Sequence, residues 1–343
     1  MLTANYLGNR EIGIRETEPE PPGPGQVRIA VAYTGICGTD LHVLHGAMDA
    51  RVRVPAVIGH EMSGVVADLG EGVTGWRVGD HVTVMPLEWD GTCPACLAGD
   101  EHVCQNLTFI GLDSPGALQR LWNVRADHLV ALPPELRLDH AALAEPVAVA
   151  VHDVRRAELA PGDRAVVLGG GPIGALIALV ARHVGAEVVV VEPDAGRRAT
   201  VAGLGLAVLD PGSTDLVARV TEWTGGAGAD VVFEVSGAAA AVLGATELVK
   251  VRGTLVVVAI HPEPRPVDLQ RVFWRELRIL GARVYRRADF EHAVELLASG
   301  VIPADRIISR VEPLTETARA FATLEAGQAM KVLIDVAATG AEA

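Results

Sequence analysis

The sequence predicts a two-domain α/β protein in which a doubly wound parallel sheet is joined to a mainly β region. Up to about residue 145, short β-branched runs such as QVRIAVAYTGI and DHVTVMPL are broken by Gly, Pro and Asp, a pattern typical of many short strands. Further on, continuous Val-rich runs alternate with helix-like segments, as in a parallel sheet covered on both faces. The 343 residues suffice for about two domains.

Composition and charge disfavour several classes of protein and partner. The chain is 50% hydrophobic and carries a net charge of −14 from 29 basic and 43 acidic residues. The apolar content excludes a disordered chain. The excess of acidic residues disfavours nucleic acid and anionic membrane surfaces as partners, because both bind basic patches. The first fifteen residues lack the features of a signal peptide, so we expect a cytoplasmic protein.

The glycines of GGGPIG predict a Rossmann dinucleotide site. Gly169, Gly171 and Gly174 spell G-x-G-x-x-G between a strand and a helix, giving a tight turn, close backbone approach to a pyrophosphate and close helix packing. The alternative is a glycine-rich loop without a ligand. The predicted cofactor-binding residues are Gly169, Gly171, Pro172, Ile173, Gly174, Glu192, Arg197 and Ser236.

Glu192 predicts NAD rather than NADP. It ends the second strand of the motif, near the position where an acidic side chain accepts hydrogen bonds from the ribose hydroxyls. Its carboxylate would repel a 2′-phosphate. Arg197 and Arg198 follow closely, and arginines can hold that phosphate; an exposed helix face is the alternative interpretation for them.

Two groups of residues favour metal binding. Cys93, Cys96 and Cys104 lie within twelve positions, a spacing that in a reducing compartment favours a metal over a disulfide. Upstream, Cys37 in TGICGTDLH and His60 in IGHEMSG supply a thiolate and an imidazole, both good zinc ligands. Neither of these two residues is diagnostic alone.

Taken in order along the chain, CGTDLH, GHE, the cysteine cluster, AEPVAVAVH and GGGPIG resemble the motifs of zinc-dependent medium-chain alcohol dehydrogenases, in their sorbitol/butanediol-type polyol branch. The resemblance covers essentially the full length. It implies a catalytic zinc held by Cys37 and His60 together with a carboxylate, Glu61 or Glu145. Because Glu61 follows His60 directly, an extended chain would point the two side chains to opposite faces.

The resemblance also assigns supporting roles. Asp40 would orient a ligand histidine through its other ring nitrogen. Thr39 would pass the substrate proton through the nicotinamide ribose to His42 and solvent, since a histidine titrates near neutral pH. Read without the motif, Thr39 is a turn residue and His42 a surface residue.

The cysteine cluster resembles the family's structural-zinc lobe, with Asp90 at the first ligand position. Zinc accepts aspartate oxygen, so a site with one aspartate and three cysteines is chemically sound. Glu88 and His102 are nearby substitutes, and an empty lobe is the rival interpretation. The predicted structural ligands are Asp90, Cys93, Cys96 and Cys104.

The resemblance implies a discontinuous catalytic domain with a GroES-like barrel, formed by residues 1–147 and 284–343, with the zinc lobe at about 88–106. An NAD-binding Rossmann domain would occupy 148–283. It further implies a homo-oligomer, dimer or tetramer.

The predicted function is transfer of a hydride from a secondary alcohol, polyol or cyclitol to NAD, giving the ketone. The alternatives are a zinc-independent quinone or enoyl reductase, and a non-catalytic zinc- and nucleotide-binding protein. Val43 follows the CGTDLH motif where the polyol branch often has an aromatic residue, so the sequence leaves the substrate open.

Overall fold

The computed structural model describes residues 1–338, which divide into two compact units. The first unit contains Met1–Glu145, Arg286–Gly300 and the chain from Ile307 onwards. The second contains Pro146–Tyr285 and Val301–Arg306. Residues 339–343, the end of the predicted catalytic domain, lie outside the described residues.

The elements are numbered along the chain. The strands are β1 (Leu2–Gly8), β2 (Glu11–Glu16), β3 (Gln26–Gly35), β4 (Glu61–Leu69), β5 (His81–Val84), β6 (Leu87–Glu88), β7 (Thr108–Phe109), β8 (Leu121–Arg125), β9 (Leu129–Ala131), β10 (Arg164–Leu168), β11 (Glu187–Val191), β12 (Ala207–Leu209), β13 (Ala229–Glu234), β14 (Val249–Val257), β15 (Arg278–Gly281), β16 (Ile308–Pro313) and β17 (Lys331–Asp335).

The helices alternate with the strands chiefly in the second unit. The α-helices are α1 (Gly38–Leu44), α2 (Pro94–Leu97), α3 (Leu138–Ala141), α4 (Ala144–Arg156), α5 (Pro172–Val184), α6 (Ala195–Gly203), α7 (Leu216–Trp223), α8 (Ala239–Leu248), α9 (Leu269–Arg275), α10 (Arg287–Ala298), α11 (Ala304–Ile307) and α12 (Thr317–Glu325). Short 3-10 turns occupy Glu101–Val103, Ala126–His128 and Leu314–Glu316. Within the described residues, no helix combines the length and apolar character needed to cross a membrane.

The second unit is a doubly wound Rossmann sheet, as predicted. Its six strands are parallel and follow the order β12-β11-β10-β13-β14-β15. The order reverses between β10 and β13, and ligands of such sheets bind at the carboxyl ends of the strands at this reversal. Val166, Val232 and Leu255 of the three central strands are buried in one cluster. Burial on both faces explains why these strands are continuous apolar runs.

The helix after β10 has well-defined ends. Pro172 is its first residue, a position where a missing backbone N–H costs nothing. Gly185 ends it with φ 102°, a left-handed conformation that suits glycine. A Cβ on Gly174 would lie 1.9 Å from the carbonyl oxygen of Gly169, so the third glycine of the motif permits close packing of this helix, as predicted.

The first unit is built on a seven-stranded sheet ordered β16-β17-β3-β4-β5-β9, with β8 also paired to β3. Its pairs are antiparallel except β16 with β17. Val27, Ile29 and Val31 of β3 alternate with half-buried residues, as expected of a strand with one face on the core. At the end of β3, Gly35 lies opposite both Glu61 and Leu333. This register brings the first residues of β4 and β17 to the same place.

Candidate functional site

Cys37, His60 and Glu61 form a buried group of potential metal ligands in the first unit. Cys37 precedes α1, His60 precedes β4, and Glu61 is the first residue of β4. One ligand atom from each lies within 4.8 Å of the other two. Cys37 is half-buried, whereas His60 and Glu61 are 2% and 0% exposed. A thiolate, an imidazole and a carboxylate are the donor types that zinc takes in catalytic sites.

A glycine makes room for the Glu61 carboxylate. A Cβ on Gly35 would lie 2.2 Å from Glu61 Oε2, so any larger residue would displace the carboxylate. The alternation expected for an extended His60–Glu61 pair does not apply, because the strand begins at Glu61 and His60 lies outside it. Both side chains therefore reach the same group.

Lys331 is a residue of this site that the sequence interpretation missed. Its Nζ donates to Glu61 Oε1 at 2.8 Å, to Oε2 at 2.6 Å and to the Ile36 carbonyl at 3.1 Å. The side chain is only 3% exposed. Burial alone lowers the pKa of Lys331, but the negative charges of Glu61 and Cys37 outweigh it and raise that pKa overall. The sequence did offer one indication that Lys331 is special. The chain has only two lysines, and this one begins an apolar strand.

The groups around His60 favour a positive charge on or beside its imidazole ring. Asp40 Oδ1 lies 3.7 Å from His60 Nδ1, too far for a hydrogen bond, and neither atom has a hydrogen-bond partner in the described chain. Burial disfavours a charged ring, yet Asp40, Cys37 and Glu145 together raise the pKa of His60 to about 10. A site that stabilises an imidazolium so strongly also stabilises a metal cation, which competes with the proton. With Nδ1 facing Asp40, Nε2 is left for a metal.

The remaining predicted catalytic residues lie around this group. Glu145 is buried in the first turn of α4 and is not one of the three converging ligands, although its charge contributes to the raised pKa values of His60 and Lys331. Thr39 Oγ1 lies 3.8 Å from Cys37 Sγ, and His42 is exposed in the last turn of α1. Zinc ligation by Glu145 and proton transfer by Thr39 and His42 stay predictions.

Asp90, Cys93, Cys96 and Cys104 form a second group, with one ligand atom of each within 4.8 Å of the others. All four cysteines of the chain are free thiols. Cys93 Sγ lies 3.5 Å from Cys96 Sγ and 3.8 Å from Cys104 Sγ. Around a tetrahedral zinc with Zn–S bonds of about 2.3 Å, two sulfurs are about 3.8 Å apart. The sulfur spacing therefore fits a shared zinc ion.

Backbone N–H groups stabilise negative charge on these sulfurs. Cys93 Sγ accepts from the N–H groups of Cys96 and Gln105, each at 3.5 Å, and Cys104 Sγ accepts from that of Asn106 at 3.3 Å. The bonds from Cys96 and Gln105 lower the pKa of Cys93. Burial and the two neighbouring thiols raise the pKa of Cys96 to about 12. A metal cation would offset that cost, because zinc takes cysteine as the thiolate.

Asp90 supplies an ionised oxygen to the group. Its Oδ1 accepts from the backbone of Thr92 at 2.8 Å and Cys93 at 2.9 Å, and Oδ2 accepts from Asn106 Nδ2 at 2.6 Å. These bonds, that from Cys93 foremost, hold the pKa of Asp90 well below its usual range. The proposed substitutes, Glu88 and His102, are not among the four converging residues.

A cavity of about 570 Å³ lies in the second unit, beside the glycine loop that the sequence predicts to bind a dinucleotide. It is lined by five of the predicted residues, Gly169, Gly171, Glu192, Arg197 and Ser236, whereas Pro172, Ile173 and Gly174 do not line it. A Cβ on Gly171 would meet nothing within 4 Å. Space is therefore open at the start of α5, where helix N–H groups favour a phosphate. The glycine loop thus fits a dinucleotide.

Glu192 is held in place by the backbone. Its Oε2 accepts from Gly170 N and its Oε1 from Asp194 N, both at 2.8 Å, and the side chain is 3% exposed. Of the two arginines nearby, Arg198 contacts Asp210 at 3.1 Å, whereas Arg197 is exposed and lines the cavity. The acidic group at the cavity edge is therefore held by two backbone hydrogen bonds, and one exposed arginine accompanies it.

Comparison with known proteins gives consistent matches along the chain. Residues 23–134 match the alcohol dehydrogenase GroES-like domain, and residues 172–299 match the zinc-binding dehydrogenase domain. A 2-dehydro-3-deoxy-L-galactonate 5-dehydrogenase of Pseudoalteromonas atlantica is 52% identical over 98% of both chains. A sorbitol dehydrogenase of Halalkalibacterium halodurans is 34% identical over 97% of this chain and 98% of its own. The structure of 2R,3R-butanediol dehydrogenase from Bacillus subtilis is 31% identical, covers 98% of this chain and 99% of its own, and superposes with a TM-score of 0.90.

Replacing Lys331 tests the buried ion pair. In metal-stripped protein, Lys331→Met leaves the Glu61 carboxylate buried and unpaired, so we expect the free energy of unfolding in urea to fall by about 3–5 kcal/mol. The double variant Lys331→Met/Glu61→Gln should recover most of that loss. Lys250→Met is the matched control, since Lys250 pairs with Asp230 at a partly exposed position, and should cost about 1 kcal/mol or less. If Lys331→Met and Lys250→Met lowered the free energy of unfolding equally, the assignment of Lys331 and Glu61 as a buried ion pair would be contradicted.

Metal counting tests the cysteine group. We expect about two zinc ions per chain in the wild type and about one in Cys96→Ser and in Asp90→Ala, because a tetrahedral structural site needs all four ligands. Glu88→Ala and His102→Ala should retain both ions. The zinc content per chain is measured by inductively coupled plasma mass spectrometry. An unchanged zinc content in Cys96→Ser would exclude a metal at the cysteine group.

Proposed function

Because this chain belongs to the zinc-dependent medium-chain alcohol dehydrogenase family, in its polyol dehydrogenase branch, we propose that it oxidises a secondary hydroxyl group of a sugar acid to a ketone, with NAD as hydride acceptor. The class of reaction is that of its relatives: it is a zinc-dependent oxidoreductase of secondary alcohols and polyols. The sugar-acid substrate is proposed from the relative that is 52% identical, a 2-dehydro-3-deoxy-L-galactonate 5-dehydrogenase.

The observation that carries the proposal is the convergence of Cys37, His60 and Glu61 within 4.8 Å in a buried setting. When bound, zinc supplies Lewis acidity that lowers the pKa of a substrate hydroxyl, and the nicotinamide accepts the hydride. The overall reaction consumes the alcohol and NAD⁺ and yields the ketone, NADH and one proton.

The protein's own residues prepare this site. Cys37 and His60 would hold the metal, with Asp40 facing the imidazole nitrogen that points away from it. Lys331 engages both oxygens of Glu61, so a metal bound by Glu61 would share that carboxylate with the ammonium group. Glu145 supplies a further buried carboxylate near the group. Thr39 and His42 are the residues we propose to carry the released proton outwards.

NAD specificity is proposed from Glu192. Its carboxylate is fixed at the edge of the cavity by two backbone N–H groups, and a fixed negative charge there repels the 2′-phosphate of NADP. The pairing of Arg198 with Asp210 and with backbone carbonyls removes it as a phosphate ligand. Arg197 alone would have to compensate for the repulsion.

The exposed face of α9 supports a homo-oligomer. Leu269, Phe273 and Trp274 are 70%, 73% and 72% exposed, and β15 beside them is an edge of the six-stranded sheet. Adjacent exposed aromatics mark protein interfaces, and an open sheet edge can pair with the same edge of a second copy. We propose a cytoplasmic location as well, because the cysteine group needs reduced thiols.

A substrate panel tests the proposed reaction. With purified enzyme, NADH absorbance should rise fastest with 2-dehydro-3-deoxy-L-galactonate or L-galactonate, more slowly with galactitol, sorbitol and 2,3-butanediol, and kcat/KM should be higher with NAD than with NADP. Enone reduction that survives chelators, with no alcohol oxidation, would instead identify a zinc-independent reductase.

Variants of two cysteines separate catalysis from structure. Cys37→Ser should lower kcat/KM by about a hundredfold or more while NADH binding is unchanged, because the cofactor cavity lies in the other unit. Cys96→Ser, the matched control, should keep most of the specific activity and lose thermal stability. Full activity in Cys37→Ser would contradict the catalytic assignment.

The oligomer proposal is tested by light scattering coupled to size exclusion. The wild type should elute as a dimer or larger, and Phe273→Ser/Trp274→Ser should shift the mass towards the monomer because the apolar face is lost. Val78→Ser, at a residue that is 64% exposed elsewhere, should leave the mass unchanged. A monomeric wild type would overturn the proposal.

A further inference from the structure

Glu234 is a buried carboxylate at the end of β13 that binds the turn after the strand. It is 1% exposed, and its Oε1 accepts hydrogen bonds from Ser236 Oγ at 2.7 Å, Gly237 N at 2.9 Å and Ser236 N at 3.0 Å. Hydrogen bonds to a carboxylate are stronger than those between neutral groups. Glu234 therefore fixes both the backbone and the hydroxyl group of Ser236.

These contacts decide which kind of hydrogen bond the Ser236 hydroxyl can still make. A hydroxyl has one proton to donate and two lone pairs that accept. The proton of Ser236 is donated to Glu234 Oε1, and one lone pair accepts from Ala238 N at 3.1 Å. One acceptor position is left. Ser236 can therefore pair with a hydrogen-bond donor of a ligand, and not with an acceptor.

Ser236 belongs to the wall of the cavity in the second unit. It is exposed and lines that cavity together with Gly169 and Gly171. A Cβ on Gly169 would lie 3.1 Å from Ser236 N and 3.3 Å from Ser236 Cβ, so the turn after β13 packs directly on the first glycine of the motif. β10 and β13 are neighbours where the strand order reverses, which is where such sheets bind a dinucleotide. The free acceptor position is therefore beside the predicted cofactor.

His261 faces the second oxygen of Glu234. Its Nε2 lies 3.1 Å from Oε2 but is not aligned for a hydrogen bond, and no other group of residues 1–338 donates to this oxygen. The Glu234 carbonyl accepts from Val258 N at 2.9 Å and Ala259 N at 3.1 Å, which anchors the chain that leads to His261. A buried carboxylate is costly without a partner of opposite charge. A protonated His261 is the group placed to offset the charge of Glu234.

We infer that Glu234 is a positioning residue for cofactor binding, which acts through Ser236 and is itself held by His261. The inference rests on the proposed function, in which the cofactor is NAD. The Ser236 oxygen accepts a hydrogen bond from a donor group of the dinucleotide, either a ribose hydroxyl or the amino group of the carboxamide. A phosphate oxygen is an acceptor and has no place at Ser236, whereas the N–H groups at the start of α5 favour it. The two walls of the cavity thus bind different parts of the cofactor.

NADH binding, followed by fluorescence titration of the purified protein, tests the inference. Ser236→Ala should raise the Kd for NADH by about three- to tenfold, the size of one lost hydrogen bond between neutral groups. Glu234→Leu should raise it at least as much, and the double variant should bind no more weakly than Glu234→Leu alone, because Glu234 acts through Ser236. Glu234→Gln, which keeps an acceptor oxygen, should restore most of the affinity. The KM for NAD should follow these changes while kcat stays within about twofold, as expected of uniform binding.

A second pair of variants tests the part of His261. His261→Leu should raise the Kd for NADH by about two- to tenfold, the range of coupling between groups in contact, and should have no further effect in the Glu234→Gln background, where no charge needs offsetting. His292→Leu is the matched control, because His292 pairs with Glu295 at an exposed position of α10. It should leave NADH binding unchanged.

The outcomes separate this inference from the proposed function. An unchanged Kd for NADH in Ser236→Ala, or additive losses in the Glu234→Leu/Ser236→Ala double variant, would overturn the inference even if the wild type oxidises L-galactonate with NAD. If the wild type binds NADH but oxidises no sugar acid, the proposed substrate fails, and the binding constants of the variants still decide the roles of Glu234 and His261. If Glu234→Leu does not fold, Ser236→Ala and the His261 pair of variants give the same decision.

Discussion

The buried ion pair between Glu61 and Lys331 is the interaction on which the candidate catalytic site depends. It joins the first residues of β4 and β17 at the point where both meet the end of β3. Lys331 also donates to the carbonyl of Ile36, directly before Cys37. One ammonium therefore positions the carboxylate and the chain that carries the thiol, and it offsets part of the negative charge gathered there. A buried pair of this kind adds little net stability, but losing one partner is costly.

The two ligand groups of the first unit differ in a way that matches different tasks. The group at Asp90 brings four converging ligands, three of them sulfur, as a closed structural zinc site requires. The group at Cys37 brings three converging ligands, with only one sulfur and with Glu61 already engaged by Lys331. A catalytic zinc needs a coordination position that is free of protein ligands, so that a substrate oxygen can bind there. The two ligand groups thus fit the two predicted tasks, a metal that holds the fold and a metal that performs the reaction.

Residue spacing was enough to predict the Rossmann sheet, the glycine turn and the three-cysteine cluster, because these are local patterns. The group at Cys37 and His60, and the place of Asp90 beside the cysteines, were predicted only from the resemblance to the alcohol dehydrogenase family. Lys331 was missed because it lies 270 positions from Glu61 and meets it only through the pairing of β3 with β4 and β17.

X-ray absorption at the zinc edge tests the central claim most directly, because it counts sulfur neighbours. If one zinc is held by Cys37 with nitrogen and oxygen ligands and another by Asp90 with three cysteines, the two-zinc protein should average about two sulfurs at about 2.3 Å and two lighter atoms at about 2.0–2.1 Å per zinc. In Cys96→Ser, where only the Cys37 site remains filled, the average should fall to about one sulfur. An average of three sulfurs in the wild type, or the loss of all zinc in the variant, would contradict a catalytic zinc at Cys37 and His60.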